Sequence, residues 1–192
     1  MSYVRIIEES EAEGRLADLY ARGGNQDGSV DNVLRVHSLN PDSLHAHLEV
    51  YISAMHRPSP LSRAEREMVA VTVSRLNGCA YCLRHHGEGL RRLLKGARAG
   101  LVEALSAGDE SVLNDRERAM CAYAAKLTTD PSSIGASDIE ALRGAGLDDR
   151  SVVDLACVVA YFAYANRVVL GLGASLEPEK KLGNVPPESQ ES

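Results

Sequence analysis

Apolar positions in this chain recur every three to four residues, which is the spacing of an amphipathic helix. The clearest case is residues 62–76, SRAEREMVAVTVSRL, where Ser62 and Glu65 have the spacing of a capping box ahead of the apolar run. The β-branched run VTV at 71–73 would favour a strand, but the cap, the length and the charged first turn favour a helix. Because this helix is apolar on several faces, it is predicted to be buried on most sides.

The pair Asn77-Gly78 is a strong helix breaker, so a second helix is predicted from near Gly78 to about Leu94. Residues 147–173 carry the longest apolar stretch, but three polar residues interrupt it, which indicates a packing helix and not a membrane span. The pattern as a whole predicts an all-α helical bundle. Further helices are predicted in 8–22, 32–40, 42–56, 101–108, 114–127 and, with a capping box at Ser137 and Glu140, 137–146.

Candidate chemistry is concentrated at the start of the second helix, where Cys79 and Cys82 form a Cys-x-x-Cys pair. Unpaired backbone N–H groups and the helix dipole stabilise an anion at that position, which lowers the pKa of a thiol. His86 follows Cys82 by four residues, so the two side chains share one helical face. If the two helices form an antiparallel hairpin, Glu67 lies level with His86, and a Glu–His–Cys proton relay becomes possible.

Composition and charge narrow the function classes. The net charge of -6 argues against nucleic acid or an anionic membrane surface as a partner. The first seven residues contain no signal-peptide core, so we expect a cytoplasmic protein. In that compartment a Cys-x-x-Cys pair is catalytic or metal-binding more often than a structural disulfide. Residues 1–176 are predicted to form one domain, and the charged, Pro-containing stretch 177–192 is predicted to be a flexible tail.

The residues Glu67, Cys79, Cys82 and His86, framed by LSRAERE, SRLNGCAYC and HHGE, resemble the alkylhydroperoxidase D-like superfamily. The resemblance is strongest to its peroxidase-related branch, which shares the carboxymuconolactone decarboxylase fold, and it covers roughly residues 30–175. Better-studied peroxidase members carry a His directly before the second cysteine, where this chain has Tyr81. A proton contact made by that His would be missing here or replaced by the phenol.

The resemblance implies a helical bundle with the redox pair at the start of a central helix. It implies a thiol-dependent peroxidase that converts a hydroperoxide to an alcohol and water, after which a dithiol reductant protein reduces a Cys79–Cys82 disulfide. By this likeness Cys82 is the attacking thiolate and Cys79 the resolving thiol, while His86 and Glu67 manage protons. No metal, haem or flavin is required, and trimers or hexamers are implied.

Other interpretations of the same residues remain. Cys79, Cys82 and His86 have the residue types of zinc ligands, with His85, Cys121 or a water as the fourth. The chain could instead be a non-catalytic assembly subunit, or a decarboxylase or other lactone-acting member of the wider fold, although those members lack the redox pair. Cys121 and Cys157 are predicted to be core residues. Structural or surface roles are predicted for the remaining histidines, which are His37, His45, His47 and His56. Tyr81, Asn166 and Arg167 are candidate pocket residues, for which structural roles are equally expected.

The distribution of apolar surface predicts how the chain assembles. The hairpin and the 151–173 helix are apolar on more than one face, and only seven Tyr and one Phe are present to fill the core. A second copy of the chain is therefore expected to cover part of that surface. We predict a homo-oligomer, with a hexamer built as a trimer of dimers preferred over a trimer.

Overall fold

The computed structural model describes residues 2–177, and within that range the chain folds into nine α-helices, two short 3-10 turns and no strand, which confirms the all-α prediction. The helices are α1 Gly14–Gly23, α2 Asn32–Arg35, α3 Pro41–Met55, α4 Arg63–Leu76, α5 Ala80–Leu94, α6 Leu101–Ala107, α7 Asp115–Thr129, α8 Ala136–Gly144 and α9 Asp149–Leu172.

Helix α4 lies at the centre of the bundle and contacts α3, α5, α6, α7 and α9. It begins at the predicted capping box, in which Ser62 Oγ accepts from the Glu65 N–H and the Glu65 carboxylate accepts from the Ser62 N–H. Consecutive residues from Val69 to Val71 are fully buried, so every face of the helix is covered. The chain itself provides this cover, and α4 needs no second copy to bury it.

A sharp reversal joins α4 to α5. Gly78 adopts φ of +66°, a left-handed conformation that side chains disfavour, and the Cys79 N–H donates to the Ser74 carbonyl at 2.9 Å. Helix α5 then runs back along α4 as the predicted hairpin. The two helices lie close together here, since a Cβ added at Gly89 would be in van der Waals contact, 3.4 Å from the Glu67 carboxylate.

Helix α9 is, among residues 2–177, the one helix long and apolar enough to cross a membrane by length and composition alone. Its inner face, with Leu155 and Phe162 fully buried, packs against α2, α3, α4, α7 and α8, as predicted for a packing helix. Its outer face leaves Val153, Tyr164 and Leu170 between 39% and 57% exposed.

Three predicted boundaries were wrong. The segment 8–22 is helical only from Gly14, after a 3-10 turn. The 32–40 helix stops at Arg35, because the Asn40 side chain caps α3 by accepting from the Ser43 N–H. The N-cap of α8 is Gly135, two residues before the predicted cap, because Asp138 accepts from the Gly135 N–H and also pairs with Lys126 at 2.8 Å. Of the predicted tail, 178–192 lie outside the described residues.

Candidate active site

The redox pair lies where the hairpin turns. Cys79 is the N-cap residue of α5, Cys82 lies in the first turn, and the two are 0% and 4% exposed. Both are free thiols, and the Cys82 S–H donates to the Cys79 sulfur. This hydrogen bond lowers the pKa of Cys79, whereas burial raises it. The N–H groups of Cys82 and Tyr81 lower it further, so that the pKa is about 7. The pKa of Cys82 is raised well above its usual value, first because its proton is held in the bond to Cys79 and then because it is buried.

A buried amide from α9 also faces the pair. Asn166 is 0% exposed and hydrogen-bonds to both cysteines. Its side chain is oriented from two sides, because Asn77 donates to its Oδ1 at 2.9 Å and its Nδ2 donates to Ser74 Oγ at 3.2 Å. The amide therefore has a fixed position from which it stabilises a thiolate.

His86 and Glu67 meet across the hairpin. His86 Nδ1 lies 2.6 Å from Glu67 Oε2, and because a carboxylate only accepts, Nδ1 carries the proton in this contact. The edge of the Phe162 ring supports the imidazole, with 4.6 Å between ring centroids. This arrangement leaves His86 Nε2 as the atom that can take up or release a proton.

The Glu67 carboxylate is almost completely buried and has a second partner. Arg63 donates to Glu67 Oε1 at 2.9 Å, and the same guanidinium donates to His56 Nδ1 at 2.7 Å. Burial raises the pKa of Glu67, but the charges and hydrogen bonds of His86 and Arg63 outweigh burial and hold that pKa below its usual value. Burial and the nearby Arg63 charge lower the pKa of His56 to about 4, which keeps this imidazole neutral as an acceptor.

A second carboxylate contacts the opposite side of the motif. Tyr81 lies between the two cysteines in sequence, and its ring stacks on His85 with centroids 4.4 Å apart. Glu177 accepts from the Tyr81 hydroxyl at 2.7 Å through Oε1, and its Oε2 lies 2.7 Å from His85 Nε2. Glu177, the first residue of the predicted tail, is therefore attached to the folded domain.

The structure places the predicted site residues on two adjacent helices: Glu67 on α4, Cys79 and Cys82 at the start of α5, and His86 one turn beyond Cys82. The charge distribution differs from that implied by the resemblance, because N–H donors converge on Cys79 and not on Cys82. Within the described part of the chain, no three His, Cys, Asp or Glu side chains are positioned to share a metal ion. Cys121 lies in the core as predicted, where it accepts a hydrogen bond from Thr72. The same prediction was wrong for Cys157, which is exposed on the outer face of α9.

Four contributors were not among the predicted site residues. Arg63 precedes Glu67 by one helical turn, a spacing that could have identified it. Asn166 interrupts an apolar run, which marks it as a candidate pocket residue but does not identify its partner. His56 and Glu177 carry no local signal, because both reach the site through tertiary folding.

Comparison with known proteins identifies the family of this chain. The sequence model of the carboxymuconolactone decarboxylase family matches residues 41–98, which include all four predicted site residues. The alkylhydroperoxidase core of a peroxidase-related protein from Ralstonia eutropha JMP134 superposes with a TM-score of 0.85, at 26% identity and 93% coverage of both chains. A peroxidase-related protein from Silicibacter sp. TM1040 is 35% identical over 85% of both chains, with a TM-score of 0.77. The chain belongs to the alkylhydroperoxidase D-like superfamily.

Two further proteins resemble this chain. The uncharacterized protein YdfG of Bacillus subtilis (strain 168) is 25% identical over 118 residues, which are 61% of this chain and 79% of that protein. The debrominase Bmp8 shares the fold, with a TM-score of 0.75, at 21% identity and with 91% of this chain and 92% of that one covered. Membership in the superfamily suggests an enzyme, and the site residues suggest its chemistry.

Proposed function

We propose that this protein is a thiol-dependent peroxidase that reduces hydroperoxides through Cys79 and Cys82. The observation that carries the proposal is the polarised pair itself, a buried thiol that donates to a neighbouring sulfur of lowered pKa at a helix start. The Glu67–His86 pair on the same hairpin supplies a proton carrier.

In the first step Cys82 attacks. Its proton passes to the Cys79 thiolate while its sulfur bonds to the terminal oxygen of the hydroperoxide, and the O–O bond breaks. The alkoxide takes a proton from His86, which starts the step protonated beside the Glu67 carboxylate. The products are an alcohol and a sulfenic acid on Cys82. We assign attack to Cys82 because it shares a helical face with His86 and is the more exposed of the two sulfurs.

In the second step Cys79 resolves the sulfenic acid. The Cys79 sulfur attacks the Cys82 sulfur, His86 takes the Cys79 proton and transfers it to the leaving hydroxide, and water departs. A Cys79–Cys82 disulfide remains. A dithiol reductant protein then restores both thiols by exchange, and its own sulfurs become a disulfide. The N–H donors around Cys79 suit it to this role, because they stabilise its thiolate both as resolving nucleophile and as leaving group.

Glu67 is a positioning residue in this scheme. It holds His86 through Nδ1 and does not touch the sulfurs, while Arg63 fixes the carboxylate from the other side. No step uses a metal, haem or flavin.

Turnover with a small dithiol tests the proposal. With dithiothreitol present, the protein is expected to consume cumene hydroperoxide continuously, and without it to consume one equivalent per chain. A protein that consumes no peroxide with its thiols verified as reduced would contradict the proposed function.

The proposed partners are a hydroperoxide, a dithiol reductant protein of a reducing compartment such as the cytoplasm, and further copies of this chain. The exposed apolar side chains of α9, Val153, Tyr164 and Leu170, favour a homo-oligomer. We retain the trimer or hexamer as the proposed state. Light scattering at micromolar concentration tests it, and a mass of 20.6 kDa would contradict it.

A further inference from the structure

The chain leaves α9 through a tight turn and crosses the redox pair. Gly173 ends the helix with φ of +69°, and the Ala174 N–H donates back to the Val169 carbonyl at 3.0 Å. A side chain at Gly173 would also collide with Tyr3, whose ring carbons lie 2.8 Å from where its Cβ would be. We call residues 174–177 the strap.

The strap packs on the sulfur-bearing turn. Ala174 contacts the buried cluster formed by Cys79, Tyr81, Cys82 and Val169. Farther along, the Ser175 carbonyl accepts from Asn32 Nδ2 at 2.9 Å. The strap therefore lies across the outer side of the Cys-x-x-Cys motif and is tied to α2.

Glu177 fixes the end of the strap. Its side chain is only 8% exposed, and its carboxylate is held by three groups from outside the strap: the Tyr81 hydroxyl at 2.7 Å, the Asn32 N–H at 2.6 Å and His85 Nε2 at 2.7 Å. Charge-assisted hydrogen bonds of this kind are about twice as strong as neutral ones. The Tyr81 hydroxyl also accepts from the Val33 N–H at 3.2 Å, so one phenol connects the motif, α2 and the strap.

Closure by the strap conflicts with thiol exchange. An attacking sulfur must reach a sulfur of the pair in line with the bond to be broken, and Cys79 and Cys82 are 0% and 4% exposed. A protein dithiol is far larger than a hydroperoxide and cannot approach while Ala174 covers the turn.

We propose that residues 174–177 form a latch that closes the redox pair to dithiol partners, and that Glu177 is its catch. Release of the Glu177 carboxylate from Tyr81, His85 and Asn32 opens the outer side of the motif. The latch regulates the same thiols as the proposed peroxidase and rests on that function for its biological role. Its mechanical action concerns only access to sulfur and can be measured without peroxide.

The experiment uses the four cysteines of the reduced full-length chain as reporters. Pulses of iodoacetamide and of a bulky maleimide at fixed pH are followed by mass spectrometry of each cysteine-containing peptide. Each rate is compared with that of the parent chain, and Cys121, which is buried, reports loosening of the core. Cys157 is exposed on the outer face of α9, where other copies are proposed to bind, so it is followed only to detect a change in assembly. The variants are Glu177→Ala and Glu177→Gln, and Glu103→Gln is the matched control because it removes a surface carboxylate paired with Arg91.

With Glu177→Ala we expect Cys79 and Cys82 to react about tenfold faster with the maleimide than they do in the parent chain, the scale set by losing charged hydrogen bonds. For Glu177→Ala the acceleration should be smaller with iodoacetamide than with the maleimide. With the maleimide it should be intermediate for Glu177→Gln and absent for Glu103→Gln. Unchanged rates would overturn the latch. Equal acceleration with both reagents, or faster reaction of Cys121, would also overturn it, because these results indicate altered reactivity or general unfolding. A chain that consumes no peroxide but shows the expected rates would reject the peroxidase and leave the latch standing.

Discussion

Two adjacent histidines on α5 each pair with a carboxylate, and the two pairs differ in what holds them. His86 meets Glu67 at 2.6 Å, and His85 meets Glu177 at 2.7 Å. Glu67 projects from the most buried helix of the bundle and is fixed by Arg63, whereas Glu177 lies five residues beyond the end of α9. The Glu67–His86 pair, which we call the inner pair, is anchored on two packed helices. The His85–Glu177 pair, which we call the outer pair, is anchored on one helix and the strap.

The difference shows how one interaction can serve two purposes. A proton carrier must keep its orientation, which rigid packing on Phe162 and a buried partner provide. The Glu177 carboxylate must be released at a small cost in free energy, and a short segment with few buried contacts allows this. The residue types of a pair therefore do not assign its function, whereas the way in which each partner is anchored does.

The largest expected effect comes from removing the proposed attacking sulfur. Cys82→Ser should abolish peroxide consumption, because a serine hydroxyl is neither a thiolate nor able to form a disulfide. The matched controls Cys121→Ser and Cys157→Ser should retain nearly the parent rate. Parent-level turnover by the Cys82 variant would show that attack occurs elsewhere.

Neighbouring histidine variants compare the two pairs directly. His86→Gln should slow peroxide consumption with dithiothreitol by about 10²-fold, the lower end of what a positioned proton carrier contributes. His85→Gln should change the same rate far less, because its partner holds the strap and not the sulfurs. Equal losses in both variants would mean that the inner and outer pairs do not have separate roles.

The reduced pair should titrate near neutrality. Thiolate absorbance in the ultraviolet is expected to rise through an apparent pKa of about 7, with the charged form lost below that pH. Asn166→Ala removes a donor to the thiolate and should shift the titration to higher pH. His85→Gln serves as a control, since it removes no donor to either sulfur. A midpoint near the usual thiol value in the parent protein would contradict the polarised pair.

The smallest effect is on stability in acid. The pKa of Glu67 is lower in the folded chain than its ordinary value of 4.5, so the charged carboxylate stabilises the fold above pH 4.5. This stabilisation is lost as the pH falls through the pKa of the folded chain. Glu67→Gln should reduce the free energy of unfolding at neutral pH by about 1–3 kcal/mol and flatten its fall in acid. Glu177→Gln should act in the same direction but more weakly. Denaturant unfolding between pH 3 and 7 measures both, and a parallel pH dependence in all three proteins would refute this account.

What the sequence predicted followed from local rules. The capping box at Ser62, the break at Asn77-Gly78 and the Cys79 position depend on neighbours within a few residues, and counting along the hairpin placed Glu67 against His86. Glu177 is 92 residues from His85 and lies in a stretch whose composition predicts a tail, so only the fold could bring the two together. The location of the negative charge was equally unpredictable, because it depends on which sulfur the N–H groups of Tyr81 and Cys82 face.

The central claim is that Cys79 and Cys82 together take up one oxidising equivalent of a hydroperoxide. Free thiols are counted in the fully reduced protein before and after one equivalent of cumene hydroperoxide, with metal content measured on the same sample and the new disulfide mapped by mass spectrometry. The account predicts a loss of two of the four thiols per chain, a Cys79–Cys82 bond and no stoichiometric metal. An unchanged thiol count, a bond that involves Cys157, or one zinc ion per chain would contradict it.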